Sequence, residues 1–466
     1  MSGGWFLPAG GPGSPDEWCF QTVPTAAIRV HVSRVAYYGR LAAVLSQAKD
    51  NNEILLVGWQ FGMGGILTAK SGGLQQSPRS RAAARGRNAR VRVLATPQNS
   101  GAAEVAKAAK VQVDAAVDDQ LLAGASHHQK AVFVKLDSSS HLFVGGMDLA
   151  LGRRGWLDVQ AEIIGVGADL GRKTLEERWE SVKPPLGGLS ATQPTLPPAT
   201  GDAHQVQFVR TYPPFPTDTT NWQRTYAKDG DHTYYSLLSR AIGNARKTIY
   251  LEEQFFQTMG PAPNRTNPTG GSSPRKRSDL PNLPDTIERQ LADAIGNGVK
   301  LVVVAAHRST APRIPDPSAR DALVKTLSSA TNPPVLLQTV TKPEDMFDNG
   351  VLVGTYYNNF VHSKTWIFDD EFVLIGSGNL WPRSLVSVQN PAESEFAVAF
   401  TSTVDGTTLG FPKASFARAL RITMWERLRR DLDPNYSFPR NVSTSFADET
   451  TELQSPIGGI KPFVLM

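Results

Sequence analysis

Two stretches of this 466-residue chain place the same side chains at the same spacing. In VHSKTWIFDDEFVLIGSGNL, residues 361–380, His362 and Lys364 stand two apart, and Gly376-Ser377-Gly378-Asn379 closes the run. In HHQKAVFVKLDSSSHLFVGGMDL, residues 127–149, His128 and Lys130 repeat the spacing and Gly145-Gly146-Met147-Asp148 takes the place of the closing turn. An imidazole titrates near neutral pH and can attack, donate or accept a proton, while a lysine beside it supplies fixed positive charge. The small-residue turn lets backbone approach closely and offers Ser and Asn donors to an anion. Together these point to chemistry on a phosphoryl group. A single His-x-Lys pair is ordinarily a solvated surface pair; two in matched surroundings indicate an internal duplication.

The elements that must hold these groups follow from the neighbouring residues. Thr365 to Phe368 and Phe372 to Ile375 are β-branched and aromatic and flank Asp369-Asp370, so the second run is predicted to be a β-hairpin with its histidine on the strand. Side chains alternate along a strand, which sends His362 and Lys364 to one face and Asp369 to the other, as support from behind. Displacing an alcohol from a phosphodiester needs a nucleophile, an acid for the leaving oxygen and positive donors for the phosphoryl oxygens. One copy supplies half of that. Packed about a pseudo-twofold axis, the halves bring His128 and His362 to opposite sides of one phosphate, with Lys130, Lys364, Asn379, Ser377 and Asp148 around it.

At this point the residues resemble the signature of the phospholipase D superfamily, two His-x-Lys-x4-Asp motifs in one chain. His362, Lys364 and Asp369 fit in full, and GSGNLWPRSL followed by Glu395 in AESEFAV is similar to the family's GSxN…RSL…SE run. IYLEEQFF, residues 249–256, and GGMDLALGR, residues 145–153, are similar to segments of its lipid-cleaving members. The first copy departs from the pattern: Lys135 stands seven after His128, and the nearest acid is Asp137. What the resemblance implies is an α/β fold of two similar α-β-α sandwich lobes with mixed sheets. It also implies a phosphohistidine intermediate with His128 as nucleophile and His362 as acid/base, and lysines in place of a metal ion, so that neither metal nor other cofactor is needed. It places the acid that orients His362 at Glu395. The corresponding strand offers Asp158 to His128, with Gln160 as its rival. Gln254 and Trp381 join Asp148 and Ser377 as candidates to line the substrate. His127 is read as structural or substrate-adjacent, and Arg153 and Arg383 as headgroup guides or turn supports.

Composition bounds the rest. With 40% hydrophobic residues and net charge +5, the chain is globular and mildly basic, long enough for two cores, and suited to anionic partners. Cys19, the only cysteine, rules out an intrachain disulfide. The first residues lack a basic and apolar leader and no apolar run reaches the ~20 residues that span a bilayer, so the expectation is a monomer, cytoplasmic as synthesised, peripheral to membranes or exported without a cleaved signal. The expected division is an N-terminal arm at 1–23, a first lobe at 24–182, a Pro-rich linker at 183–204, a second lobe at 205–430 and a tail at 431–466. Trp5, Phe6 and Trp18 of the arm are expected either to pack on the core, the favoured reading, or to touch a membrane interface. The leading function is a phospholipase D acting on glycerophospholipids at a membrane surface or micelle. A nuclease using the arginine-rich run at 79–90 is the alternative, and a noncatalytic lipid-surface binder is the alternative of another class. A cardiolipin synthase ranks lower, because that family tends to carry membrane spans.

Overall fold

The computed structural model describes residues 4–8, 19, 21–49, 51–60, 69–70, 73–74, 89–97, 114–121, 124–150, 153, 155–182, 204–214, 226–258, 286–307, 316–330, 332–339, 342–348, 351–385, 392–430 and 460–462. Trp18, the arginine-rich run, the Pro-rich linker, the polar stretch at 257–283, which the sequence offers as a lid over a site or a plain insertion, and the C-terminal tail lie wholly or largely outside the described residues.

The first half runs β1 (Val23–Thr25), β2 (Ala27–His31), α1 (Arg34–Leu45), β3 (Glu53–Val57), the short pair β4 (Ala69–Lys70) and β5 (Gly73–Leu74), β6 (Arg90–Ala95), β7 (Asp114–Val117), β8 (Ala131–Lys135), β9 (Ser140–Gly145), β10 (Trp156–Leu157), β11 (Gln160–Ile164) and α2 (Val166–Glu180). The second runs β12 (His204–Thr211), α3 (Thr233–Asn244), β13 (Thr248–Glu253), α4 (Ile287–Gly296), β14 (Lys300–Ala306), α5 (Pro317–Ser328), β15 (Val335–Thr339), the hairpin β16 (Lys342–Asp348) and β17 (Val351–Asn358), β18 (Phe360–Val361), β19 (Lys364–Phe368), β20 (Phe372–Gly376), α6 (Pro382–Leu385) and β21 (Glu395–Ser402). The pair β22 (Asp405–Gly406) and β23 (Phe411–Ser415), α7 (Phe416–Arg430) and β24 (Ile460–Pro462) complete it.

Across the first sheet the order is β2-β11-β9-β8-β3-β6-β7, and across the second β12-β21-β20-β19-β13-β14-β15. The two orders correspond strand for strand. In each, three strands are parallel (β3, β6, β7; β13, β14, β15) and the rest antiparallel, so both sheets are mixed. Strands such as EILLV in β3 and the LVVVAA of β14 are apolar on both faces because helices cover both sides. Tyr37, Leu41 and Val44 of α1 cover one outer face, and Leu237, Leu291 and Leu323 of α3, α4 and α5 cover the other. A single apolar centre fills the space between the sheets, built from both of them and from α2 and α7.

The second sheet also takes in both ends of the chain, β1 beside β12 and β24 beside β15. Trp5 stacks on Phe372 with ring centroids 5.4 Å apart, and Gln207 holds both the amide and the carbonyl of Leu7, at 2.9 and 3.0 Å. The expected boundary between residues 23 and 24 therefore passes through a strand of the second lobe's sheet. The physical reason is an open edge: β12 would present unpaired amides and carbonyls without β1.

Two short backbone contacts join the lobes. β10 pairs with β18, Trp156 opposite Phe360 and Leu157 opposite Val361, while His127 bridges to Ser394. His362 donates its amide to Leu157 O at 2.8 Å, and His128 donates its amide to Ser394 O at 2.9 Å. The two contacts are pseudo-twofold images, and each stands beside a catalytic candidate.

Candidate active site

Both histidines lie where the chain enters its strand, not on it. β8 begins at Ala131 and β19 at Lys364, so His128 and His362 occupy extended connectors whose amides are bound to the opposite lobe. The strand position expected for His362 is corrected accordingly. Each lysine folds back so that its Nζ donates to its own histidine's carbonyl.

The orienting acids are exchanged relative to expectation. His362 Nδ1 lies 2.7 Å from Asp158 Oδ2, and His128 Nδ1 lies 3.1 Å from both oxygens of Glu395. Glu395 was expected at His362 and Asp158 at His128; each acid instead crosses the interface to the other lobe's histidine. The reason is the pair of backbone contacts above. They set Leu157 against His362 and Ser394 against His128, and the acids are the next residues along. Gln160 does not reach a histidine: its Oε1 accepts from the amide of Met147 at 3.1 Å.

The closing turns hold these acids. Ser377 Oγ donates to Glu395 Oε2, and Ser384 Oγ donates to Glu395 Oε1 at 2.6 Å. Ser377 was expected to face substrate; it is spent on the carboxylate. At the matching first-lobe position stands Gly146, where a Cβ would come within 2.2 Å of Asp158 Oδ1. Asp158 is held instead by Arg34, whose Nη2 donates to Oδ2 at 3.0 Å, and by the amide of Val159 at 2.9 Å.

Lys364 Nζ donates to Gln254 Oε1 at 2.7 Å, so Gln254 acts on the lysine. In the first lobe Lys130 Nζ lies 5.6 Å from the centre of the Trp59 ring, a cation–π contact in place of the amide. Asn379, buried at the end of the second turn, leaves its Oδ1 without a hydrogen-bond partner in the structure. Its counterpart Asp148 is paired with Arg153 and accepts the Gln60 amide at 3.0 Å. The Arg153 guanidinium lies 5.0 Å from Trp59 and 4.6 Å from Trp156, rings that pack at 5.8 Å on His128 and 4.8 Å on His362 respectively. Arg153 thus links the surroundings of both histidines. Trp381 is half-buried at the rim, donating Nε1 to Ser384 Oγ at 2.7 Å and packing edge-on to Phe255 at 5.0 Å.

Asp369 lies away from the cleft. It and Asp370 take positive φ, 51° and 56°, as a two-residue hairpin turn requires. Its carboxylate accepts the amides of Arg246, Lys247 and Thr248, each at 2.8 Å, and so fastens the hairpin to the start of β13. In the first lobe Lys135 points to Ser140 and Asp169, at 2.7 and 3.2 Å. Asp137 supplies the missing support, accepting Asn52 Nδ2 at 2.8 Å just ahead of β3. His127 is structural, with Nδ1 2.6 Å from Ser394 Oγ and Nε2 3.1 Å from Asp118 Oδ2.

The fields of the two lobes meet here. Burial holds His362 well below the usual histidine range, helped by the charges of Lys364, Arg153, Lys130 and Arg34. Burial likewise brings Lys364 down to about 7, against the pull of Asp158 and Glu253. Its cross-strand neighbour Glu253 is pushed up to about 7, again by burial. Glu395 is buried as well, yet His128, Lys130 and the Ser377 hydroxyl hold it below the ordinary glutamate value. His128, Glu393 and Glu395 bring potential metal-ligand atoms within 4.8 Å of one another. The Glu395 oxygens are already engaged by the Ser377 and Ser384 hydroxyls, and Arg383 stands 3.4 Å from Glu393.

Sequence reasoning missed Arg34, Trp59, Trp156 and Ser384. Ser384 alone had a signal, lying in the RSL of the second run; the others reach the cleft only through tertiary packing.

No protein-family profile matches the chain. A stretch of 53 residues is 43% identical to cardiolipin synthase 1 of Staphylococcus epidermidis, and one of 53 is 40% identical to cardiolipin synthase 1 of Staphylococcus aureus. Each match spans 11% of this chain and 11% of the relative. Among solved structures, phosphatidylserine synthase of Haemophilus influenzae aligns with TM-score 0.46 and 10% identity over 90% of this chain and 89% of that one. Nuc of Salmonella typhimurium, a phospholipase D family member, aligns with TM-score 0.25 and 16% identity over 48% of this chain and 95% of its own. The chain thus carries two His-x-Lys runs on duplicated lobes that meet at one interface, and over 53 residues it is similar to cardiolipin synthase 1.

Proposed function

We propose that this protein cleaves the headgroup phosphodiester of a glycerophospholipid through a phosphohistidine and passes the phosphatidyl group to water or to an alcohol. The observation that carries the reading is the reciprocal hold on the two imidazoles: each has Nδ1 turned to a carboxylate of the opposite lobe, which leaves Nε2 for substrate.

His128 Nε2 attacks phosphorus in line, and the bond from phosphorus to the headgroup oxygen breaks as His362 Nε2 gives that oxygen a proton. Attack puts positive charge on the His128 ring, where the Glu395 carboxylate, held by hydroxyls and not by an arginine, offsets it. Water or an acceptor alcohol then loses its proton to His362 and attacks phosphorus, and the bond to His128 breaks. Lys130, Lys364 and Asn379 serve the phosphoryl oxygens. His362 starts neutral among cations. The anionic diester offsets those charges on arrival, so proton uptake by His362 accompanies substrate binding.

Among the described residues no helix is long and apolar enough to cross a membrane, so lipid is proposed to be met at a membrane surface. Both half-sites come from one chain, and the active species is proposed to be the monomer. The likeness to cardiolipin synthase, which the sequence argument had ranked low, supports transfer alongside hydrolysis.

The test is incubation with vesicles of phosphatidylcholine and phosphatidylglycerol, in chelator and with ethanol present, read by mass spectrometry. Phosphatidic acid or phosphatidylethanol should appear, and His128→Ala or His362→Ala should lower the rate at least 1,000-fold, roughly the loss for an acid, base or nucleophile. Full activity in either variant sinks the mechanism. Cleavage of plasmid DNA with no lipid turnover would replace the lipid reading with the nuclease one.

A further inference from the structure

The two orienting acids are held by different chemistry, and the difference falls on one side of the reaction. Glu395 is held by the hydroxyls of Ser377 and Ser384, which leave its charge whole for His128. Asp158 is ion-paired at 3.0 Å with Arg34, both side chains having no solvent exposure, while the same Oδ2 faces His362 Nδ1 at 2.7 Å. One carboxylate oxygen is thus shared between a permanent cation and an imidazole.

Arg34 is an unfavourable residue for its position. It opens α1 directly after the Ser33 cap, where the helix dipole disfavours positive charge, and it is fully buried. Its Nη1 donates to the carbonyl of Asp148 at 2.9 Å, and its Nε has no hydrogen-bond partner among the described residues. Packing alone does not explain a buried arginine at a helix N-terminus; a site where local rules are broken is where function is sought.

We infer that Arg34 is a positioning residue that draws the Asp158 charge away from His362 and so makes His362 a readier proton donor. The inference rests on the acid/base role proposed for His362. Besides Arg34 and Asp158, the charged groups bearing on His362 are Lys364, two residues on, and Lys130 and Arg153 from the first lobe, with the Trp156 and Phe360 rings against it at 4.8 and 6.4 Å. An acid that holds its proton weakly donates it readily to the leaving oxygen, and the substrate anion supplies the condition for loading it.

The experiment is Arg34→Gln with 13C-labelled histidine, following the ring signals of His128 and His362 against pH in the substrate-free protein, with His362→Asn assigning the resonance. Losing the cation should raise the midpoint of the Asp158–His362 pair by about one pH unit or more and leave that of His128 in place. The alkaline limb of the kcat profile on phosphatidylglycerol vesicles should move up with it. If Arg34→Gln does not fold, Arg34→Lys, which keeps charge but loses the guanidinium fork, should move the His362 midpoint the same way by less. An unmoved His362 titration in either folded variant overturns the inference, as does a fall in rate that is uniform across pH. Absence of lipid turnover in the wild type would defeat the proposed function while leaving the titration result standing.

Discussion

The carboxylate of Asp369 collects three backbone amides at 2.8 Å each, so its loss is felt in folding and not in the cleft. Asp369→Ala should cost about 3 kcal/mol in urea unfolding, from the unmet amides and the left-handed turn position, with kcat per folded molecule unchanged. A large fall in kcat at equal folded fraction would contradict that assignment. pH tests the lysine. With Lys364 near 7 in the free protein, its charge is present below that pH and lost above it. Hence kcat/KM, already declining above the depressed midpoint of His362, should fall more steeply as pH rises past about 7, while the limb of kcat, which reports the complex, should lie higher because the bound anion favours charged Lys364 and His362. The histidines, lysines and turns were legible in the chain because their spacing is local. The partners of Glu395 and Asp158 were not legible, since they depend on which connector lies against which across the interface.

At the scale of elements, the turns after β9 and β20 do matched work with different residues. Ser377 bonds Glu395, whereas Gly146 must be bare because a Cβ there would meet Asp158 Oδ1 at 2.2 Å. Gly146→Ala should therefore displace Asp158 and lower kcat more than 10-fold, whereas Ser377→Ala should cost less because Ser384 still holds Glu395. Equal activity of Gly146→Ala and wild type on vesicles would show that Asp158 has room to move. The strands could be read from their β-branched runs, and the duplicated strand order from the repeated pattern. The pairing of β1 with β12 could not, because three residues carry no signal of which edge they seal.

For the whole molecule, α7 makes the same point as the acids. Arg427 donates to the carbonyls of Val32 and Asp158 in the first lobe, at 2.8 and 3.0 Å, and to Glu252 of the second at 2.6 Å. Residues 26–182 and the remainder, produced separately, should each turn over no lipid, and co-expression should restore activity; an active isolated lobe would mean that one half holds a complete site.

That mutual dependence has a historical side. An unduplicated ancestor with one His-x-Lys run could have worked only as two identical chains about a twofold axis, each lending its acid to its twin. Once the copies were fused, neither had to remain a mirror of the other. Lys135 where its counterpart keeps Asp369, and an arginine behind one acid where serines stand behind the other, are the divergence that fusion permitted.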